Sequence, residues 1–347
     1  MPHTNLPDNP LADIPLSVLE LSPVAAGMTS SQALQNTVDL AKHIERLGYR
    51  RLWLAEHHNM PGIAAAVPEI LIGQVAAVTQ TLRVGSGGVM LPNHAPLHVA
   101  ETFKTLEALY PGRIDLGIGR APGTDGLTAL ALRRSREALH ADDFDEQLGE
   151  LFAFGSGDFP ADHPFQAVRA VPTDVALPPV FLLGSSSYSA RLAGQLGLGF
   201  AFAYHFSPHA LLPALRAYRE GFTPGALEKP HAIVTVSVFC APTDAEADYL
   251  AGPMRLTFLK LRSGEPIQLP SPEDAESYPY TPHERAALGA IRATQIVGSP
   301  ETVRSQLGEL VAKTGADELM VTTMMHSHKD RLRSFGLVAE ALRGVSV

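Results

Sequence analysis

The chain has 347 residues, 45% of them apolar, enough to bury one large core or two medium ones. Its 27 Lys and Arg against 36 Asp and Glu leave a net charge of −9, an acidic balance that argues against nucleic acid as a partner. One cysteine, Cys240, excludes an internal disulfide and a paired-cysteine metal site, and no apolar run is long enough to cross a bilayer. Met1 to Asp13 lacks the apolar stretch of a signal peptide, so a cytoplasmic protein with a loose N-terminal arm over 1–13 is expected.

From residue 14 onward an apolar strand, a turn and an amphipathic helix alternate. Strands are predicted over 14–22, 51–58, 82–91 and 113–121, with helices over 30–47, 68–79 and 96–110 between them. Ser30 or Ser31 reads as the cap of the first helix, with Gly48 as its stop. A helix over 136–154 and a loop or hairpin over 155–179 follow. The rhythm resumes with strands over 179–185, 199–206 and 232–241 and helices over 187–196 and 208–221. A helix starts near Thr243 and Asp244, and residues 254–290 read as irregular because they are rich in proline. Ser299-Pro300-Glu301 opens a helix, and a strand over 318–324 and a helix over 329–342 end the pattern.

Eight strands, each followed by helical material, need parallel pairing and favour closure into one α/β (β/α)₈ barrel over 14–347. The segments 122–178 and 254–295 are its insertions, after the fourth and seventh strands, and loops of that length commonly act as lids.

A barrel of this kind carries its chemistry at the carboxyl ends of the strands. Those ends hold Glu56-His57-His58, Ser86-Gly87-Gly88, Gly117-x-Gly119-Arg120, Gly184-Ser185-Ser186-Ser187-Tyr188 and Tyr204-His205. His57 is a candidate proton shuttle. His57 and His58 point to opposite faces of a strand, which makes a shared metal ion the weaker reading, and no other cluster has metal spacing. The glycines at 85, 87 and 88 permit close approach of a flat ligand, or mark a bulge. Gly184-Ser185-Ser186 opening a helix is either a phosphate cradle or a plain cap, and Arg120 can supply a matching charge. The spacing Gly117-x-Gly119-x-x-x-Gly123 departs from the dinucleotide fingerprint, and Pro122 disturbs it. A sugar hydrolase would need two facing carboxylates, where only Glu56 and Asp125 offer themselves.

The segments 52–58, 84–96 and 111–120, supported by Val297-Gly298-Ser299-Pro300-Glu301-Thr302-Val303, resemble the bacterial-luciferase-like flavin-dependent monooxygenases, nearer to their single-chain oxidoreductases than to the light-emitting enzymes. The resemblance implies a barrel binding FMN, used in its reduced form, with the deazaflavin F420 the less favoured cofactor. It makes His57 the catalytic histidine, and the neighbouring Glu56 is expected to orient it. Gly87-Gly88, beside Ser86, would form a cis peptide under the flavin ring. Arg120 and the turn of Gly184, Ser185, Ser186 and Tyr188 would hold the phosphate, and Tyr204 would lie near the ring. Gly119 stands where some light-emitting members carry a reactive cysteine, which widens that space and puts a long-chain aldehyde substrate in doubt. The expected partners are O₂, a small organic substrate, a separate flavin reductase and a second copy of the chain, with no nucleic acid and no membrane. Two other readings stay open: hydride transfer linked to F420 or NAD(P)H on the same barrel, and a flavin-binding store without turnover.

Overall fold

In the computed structural model, which describes Leu11 and residues 13–343, the sheet closes on itself. Most of the predicted N-terminal arm lies outside the described residues. The first half runs β1 (Leu16–Glu20), α1 (Ser30–Arg46), β2 (Arg51–Leu54), α2 (Pro68–Val78), β3 (Arg83–Ser86), β4 (Val89–Met90), α3 (Pro96–Leu109) and β5 (Ile114–Gly119). The segment after it holds α4 (Gly126–Arg133), α5 (Arg136–His140) and α6 (Phe144–Ser156). The second half runs β6 (Val180–Gly184), α7 (Ser187–Gln195), β7 (Gly199–Ala203), α8 (Leu211–Glu220), β8 (Ala232–Cys240) and α9 (Asp244–Arg262). It ends with α10 (Pro272–Ser277), α11 (Pro282–Arg292), β9 (Gln295–Gly298), α12 (Pro300–Thr314), β10 (Glu318–Thr322) and α13 (His328–Arg343).

All pairings between these strands are parallel. β1 pairs with β2 on one side and β10 on the other, and β10 pairs with β8, so β3 and β4 together form one stave of an eight-stave ring. The (β/α)₈ architecture expected from the strand–helix rhythm is the one observed. Alternation along the staves sends Leu19, Trp53, Phe181, Ala201, Ile233 and Met320 into one buried cluster within the ring. Residues of the other parity, such as Val18, Leu52, Leu182 and Val234, pack against the helices in the main core.

Four local expectations differ from the structure. Thr29 caps α1, accepting from the Gln32 N–H at 3.2 Å in a reciprocal capping box, so Ser30 and Ser31 already lie inside the helix. The helix expected over 136–154 is two, α5 and α6, with residues 141–143 between them. Residues 254–290 are mostly helical: α9 continues through Pro253 to Arg262, and α10 and α11 carry full capping boxes at Ser271 and Thr281. β9 is an additional short strand, paired with the outer half of β8 at Val238↔Ile296. Among the described residues no helix is long and apolar enough to cross a membrane.

A charge cluster closes the amino-terminal end of the ring. Arg51, at the start of β2, donates from Nε and Nη2 to the two oxygens of Glu318 (2.7 and 3.0 Å) and from Nη1 to Asp115 (2.7 Å). Ser17, His231, Trp53 and Arg83 satisfy the remaining carboxylate positions. Burial pushes the Glu318 pKa upward, but His231, Arg51 and Ser17 outweigh it and hold the group below its ordinary value. Its contribution to stability is therefore complete above the ordinary glutamate range and is lost as pH falls through the depressed folded value. Arg51→Met strands two buried carboxylates and should lower the unfolding free energy by about 3–5 kcal/mol in denaturant titration. A loss under about 1 kcal/mol would remove this cluster as the structural closure of the barrel floor.

Candidate active site

β2 ends at Leu54, and Ala55-Glu56-His57-His58 carries the chain over the carboxyl rim. The three polar residues part company there. His57 lines a chamber at the barrel mouth. Its backbone N–H donates to the Ala65 carbonyl at 2.9 Å, and its Nδ1 faces the Gly123 carbonyl at 3.2 Å. A carbonyl only accepts, so Nδ1 carries the proton and Nε2 of the neutral ring is left as an acceptor. Burial lowers the His57 pKa, against the opposing pull of Gly123 and Glu56.

Glu56 does not orient His57 as the sequence suggested. Fully buried, it accepts from His58 Nε2 (2.9 Å) and His94 Nε2 (2.8 Å) on one oxygen and from the Met90 N–H (2.8 Å) on the other. Burial raises its pKa, but His94, His58 and Met90 together bring it below the ordinary value; His94 is raised by the same contact, against its own burial. Glu56 thus ties the end of β2 to β4 and to the Leu91–Asn93 turn behind the rim. His58 turns to Glu56, whereas His57 lines the mouth chamber.

The Gly87-Gly88 peptide is cis, and it separates β3 from β4. What forbids side chains here is the protein itself. A Cβ on Gly87 would meet Leu19 Cδ1 at 2.6 Å and Trp53 Cβ at 2.9 Å, and one on Gly88 would meet the Gly117 carbonyl at 2.8 Å. Gly87 nevertheless keeps an accessible surface among buried neighbours. Ser86 is buried, and its hydroxyl both donates to the Gly117 carbonyl (2.8 Å) and accepts the Gly117 N–H (3.0 Å). It stitches β3 to β5 and has no hydrogen left to offer a ligand.

Arg120, exposed just after β5, stacks on the Tyr188 ring in the first turn of α7 at 4.1 Å. Among the described residues it has no carboxylate partner. Ser186 is the residue before α7, and its side chain makes no cap hydrogen bond. The Gly184–Ser187 turn therefore presents free hydroxyls and helix-start N–H groups beside a free guanidinium. That donor set fits a phosphate monoester. Tyr188 O–H donates to Asp145 at 2.5 Å, which fixes the ring under Arg120.

Tyr204 is placed differently from expectation. It lies over an outer cleft with Pro208, His209 and Gln306, while the next residue, His205, lines the mouth chamber together with His57. β7 stops at Ala203 and residues 204–206 turn, so strand parity does not carry to the tip. Burial pushes His205 down to about 4, the Thr235 carbonyl opposes that, and His57 adds to it. The chamber has a volume of about 140 Å³. Its wall is apolar, with Met60, Phe206, Met254, Phe258 and Met324 among the lining.

The family model for luciferase-like monooxygenases matches residues 14–318. A luciferase-like monooxygenase of Escherichia coli K12 is 46% identical over 328 residues, spanning 94% of this chain and 96% of its own. An N-acetyl-S-alkylcysteine monooxygenase of Bacillus subtilis is 36% identical, spanning 95% and 98%. The crystal structure of apo-MsnO8 superposes with a TM-score of 0.88 at 40% identity, covering 97% of this chain and all of that one. The chain belongs to the luciferase-like monooxygenase family and is a flavin-dependent oxidoreductase of the monooxygenase type.

Proposed function

We propose that the chain oxygenates a small organic substrate at the barrel mouth, using O₂ and FMN that a separate reductase delivers reduced. The observation that carries this reading is the donor set of Arg120 and the Ser185–Ser187 turn, with Arg120 one stave from the accessible backbone of Gly87 and two from His57. When bound there, the reduced flavin supplies the reaction with O₂.

The chain's own residues do the rest. Arg120, Gly184, Ser185 and Ser186 bind the phosphate, with Tyr188 as the platform that holds the guanidinium in place. Gly87 and Gly88 give the ring a floor without side chains, and Ser86 holds that floor to β5. His57 moves a proton through Nε2, its ring fixed from behind by the Gly123 carbonyl. Glu56 acts one step back, as a positioning residue that fixes the Met90 amide. Apolar walls from α9 and from residues 60–63 keep water from the reacting atoms.

A homodimer fits the outer surface. α2 carries few polar residues, and Ile70 on it and Val67 just before it stand 72% and 49% exposed. Ile70→Glu should shift sedimentation toward a monomer; an unchanged profile would remove α2 from the interface.

Anaerobic titration tests the cofactor. Reduced FMN should bind more tightly than F420, and Arg120→Ala should weaken it roughly 10- to 100-fold, the worth of a charged hydrogen bond. Preference for F420 would move the chain to hydride transfer, and tight oxidised FMN with no oxygen consumption would make it a store. His57→Ala should keep FMN affinity and lose turnover by roughly 10²–10⁴-fold. Because burial lowers the His57 pKa, the ring stays a base below the ordinary histidine value of 6.5, and the acidic limb of kcat should lie under that value. A limb at or above it would assign the proton to another group.

A further inference from the structure

Two histidines reach the mouth chamber from opposite sides of the ring. β2, which delivers His57, and β7, which delivers His205, are four staves apart among eight. Each ring is anchored the same way. His57 Nδ1 faces the Gly123 carbonyl, and His205 Nδ1 faces the Thr235 carbonyl at 3.4 Å, the same oxygen that accepts the His205 backbone N–H at 3.0 Å. Both Nδ1 atoms are therefore donors, and both Nε2 atoms of the neutral rings are acceptors without a partner among the described residues. Burial favours the neutral form of each.

The remaining lining sharpens the picture. Among the described residues no Asp, Glu, Lys or Arg lines the chamber. Thr257 spends its hydroxyl hydrogen on the Pro253 carbonyl at 2.9 Å and so offers only lone pairs. Thr322 adds one hydroxyl that can serve either way. An apolar wall facing two imidazole acceptors recognises a ligand by a hydrogen it donates, and rejects a carboxylate, which would meet lone pairs without a counter-charge. A volume of about 140 Å³ holds a group the size of a benzene ring.

We propose that the chamber takes the neutral, apolar end of a substrate bearing one O–H or N–H, and that this hydrogen is donated to His205 Nε2 while His57 faces the reacting atom. His205 is thus the specificity-determining residue of the mouth. The inference rests on the mouth as the reaction site but requires no bound flavin.

The test uses phenol, anisole and benzoate as probes of equal ring size, titrated calorimetrically into the full chain without flavin. Phenol should bind roughly 10-fold more tightly than anisole, the worth of one hydrogen bond, and benzoate should bind least. His205→Phe should bring phenol down to the affinity of anisole, and His205→Gln, whose side-chain carbonyl again accepts, should restore part of the preference. In the unaltered protein, phenol should shift the ¹⁵N resonance of His205 Nε2, a readout that does not depend on any variant folding. Equal affinity for phenol and anisole, a preference that survives His205→Phe, or an unmoved Nε2 resonance would each overturn the proposal. Donor preference without FMN binding would refute the cofactor reading and leave this one standing; FMN binding without donor preference would do the reverse.

Discussion

Arg51 is the residue on which the barrel turns. A closed ring of eight parallel staves leaves an axial space at its amino-terminal end, and this chain fills that space with a guanidinium held between two carboxylates. The cluster links β1, β2, β3, β5 and β10 by side chains as well as by ladders, and Trp53 joins it to the apolar layer above through Asp115. Such a cluster costs much to desolvate and contributes mostly by being complete, since a missing partner leaves a bare buried charge. Its gain is geometric: it sets which stave faces which, and so sets what meets at the opposite end.

The opposite end separates two tasks that adjacent residues share in the sequence. Glu56 looks inward to its own support and ties together β2, β4 and the turn that follows, while His57 looks to the mouth. The carboxylate accepts from three donors, two on one oxygen and one on the other, all of them from the protein. Glu56 is thereby held as a carboxylate behind the rim, and among the described residues the side chains lining the mouth chamber are uncharged.

Much of this was legible in the chain. The alternation of period two and period 3.6 gave the eight staves, because each stave is buried on both faces and each helix on one. The rim residues gathered by that pattern do converge, as Arg120 on Tyr188 and His57 on the mouth show. Other features escaped for physical reasons. The start of α9 near Asp244 is legible, but its continuation to Arg262 is not, because Pro253 stands inside it and its apolar residues are divided between two faces. Thr29 was passed over because three potential caps stand in a row, and only the reciprocal bond to Gln32 separates them. The resemblance points to Tyr204, and nothing local singles out His205, because β7 ends at Ala203 and the turn that follows decides which of the two side chains faces the mouth. The floor cluster left no local signal at all: its members lie up to 301 positions apart, and only closure of the ring brings them together.

α9 stands between two cavities. Met254, Thr257, Phe258 and Leu261 look into the mouth, while Asp248, Tyr249, Gly252 and Arg255 look out to a second hollow under α10 and α11. A change of bulk in that outer hollow moves the common wall and redraws the shape of the inner one without touching a stave. Substrate range can therefore drift in descendants of this chain through residues that never meet a substrate, while the catalytic rim is inherited intact.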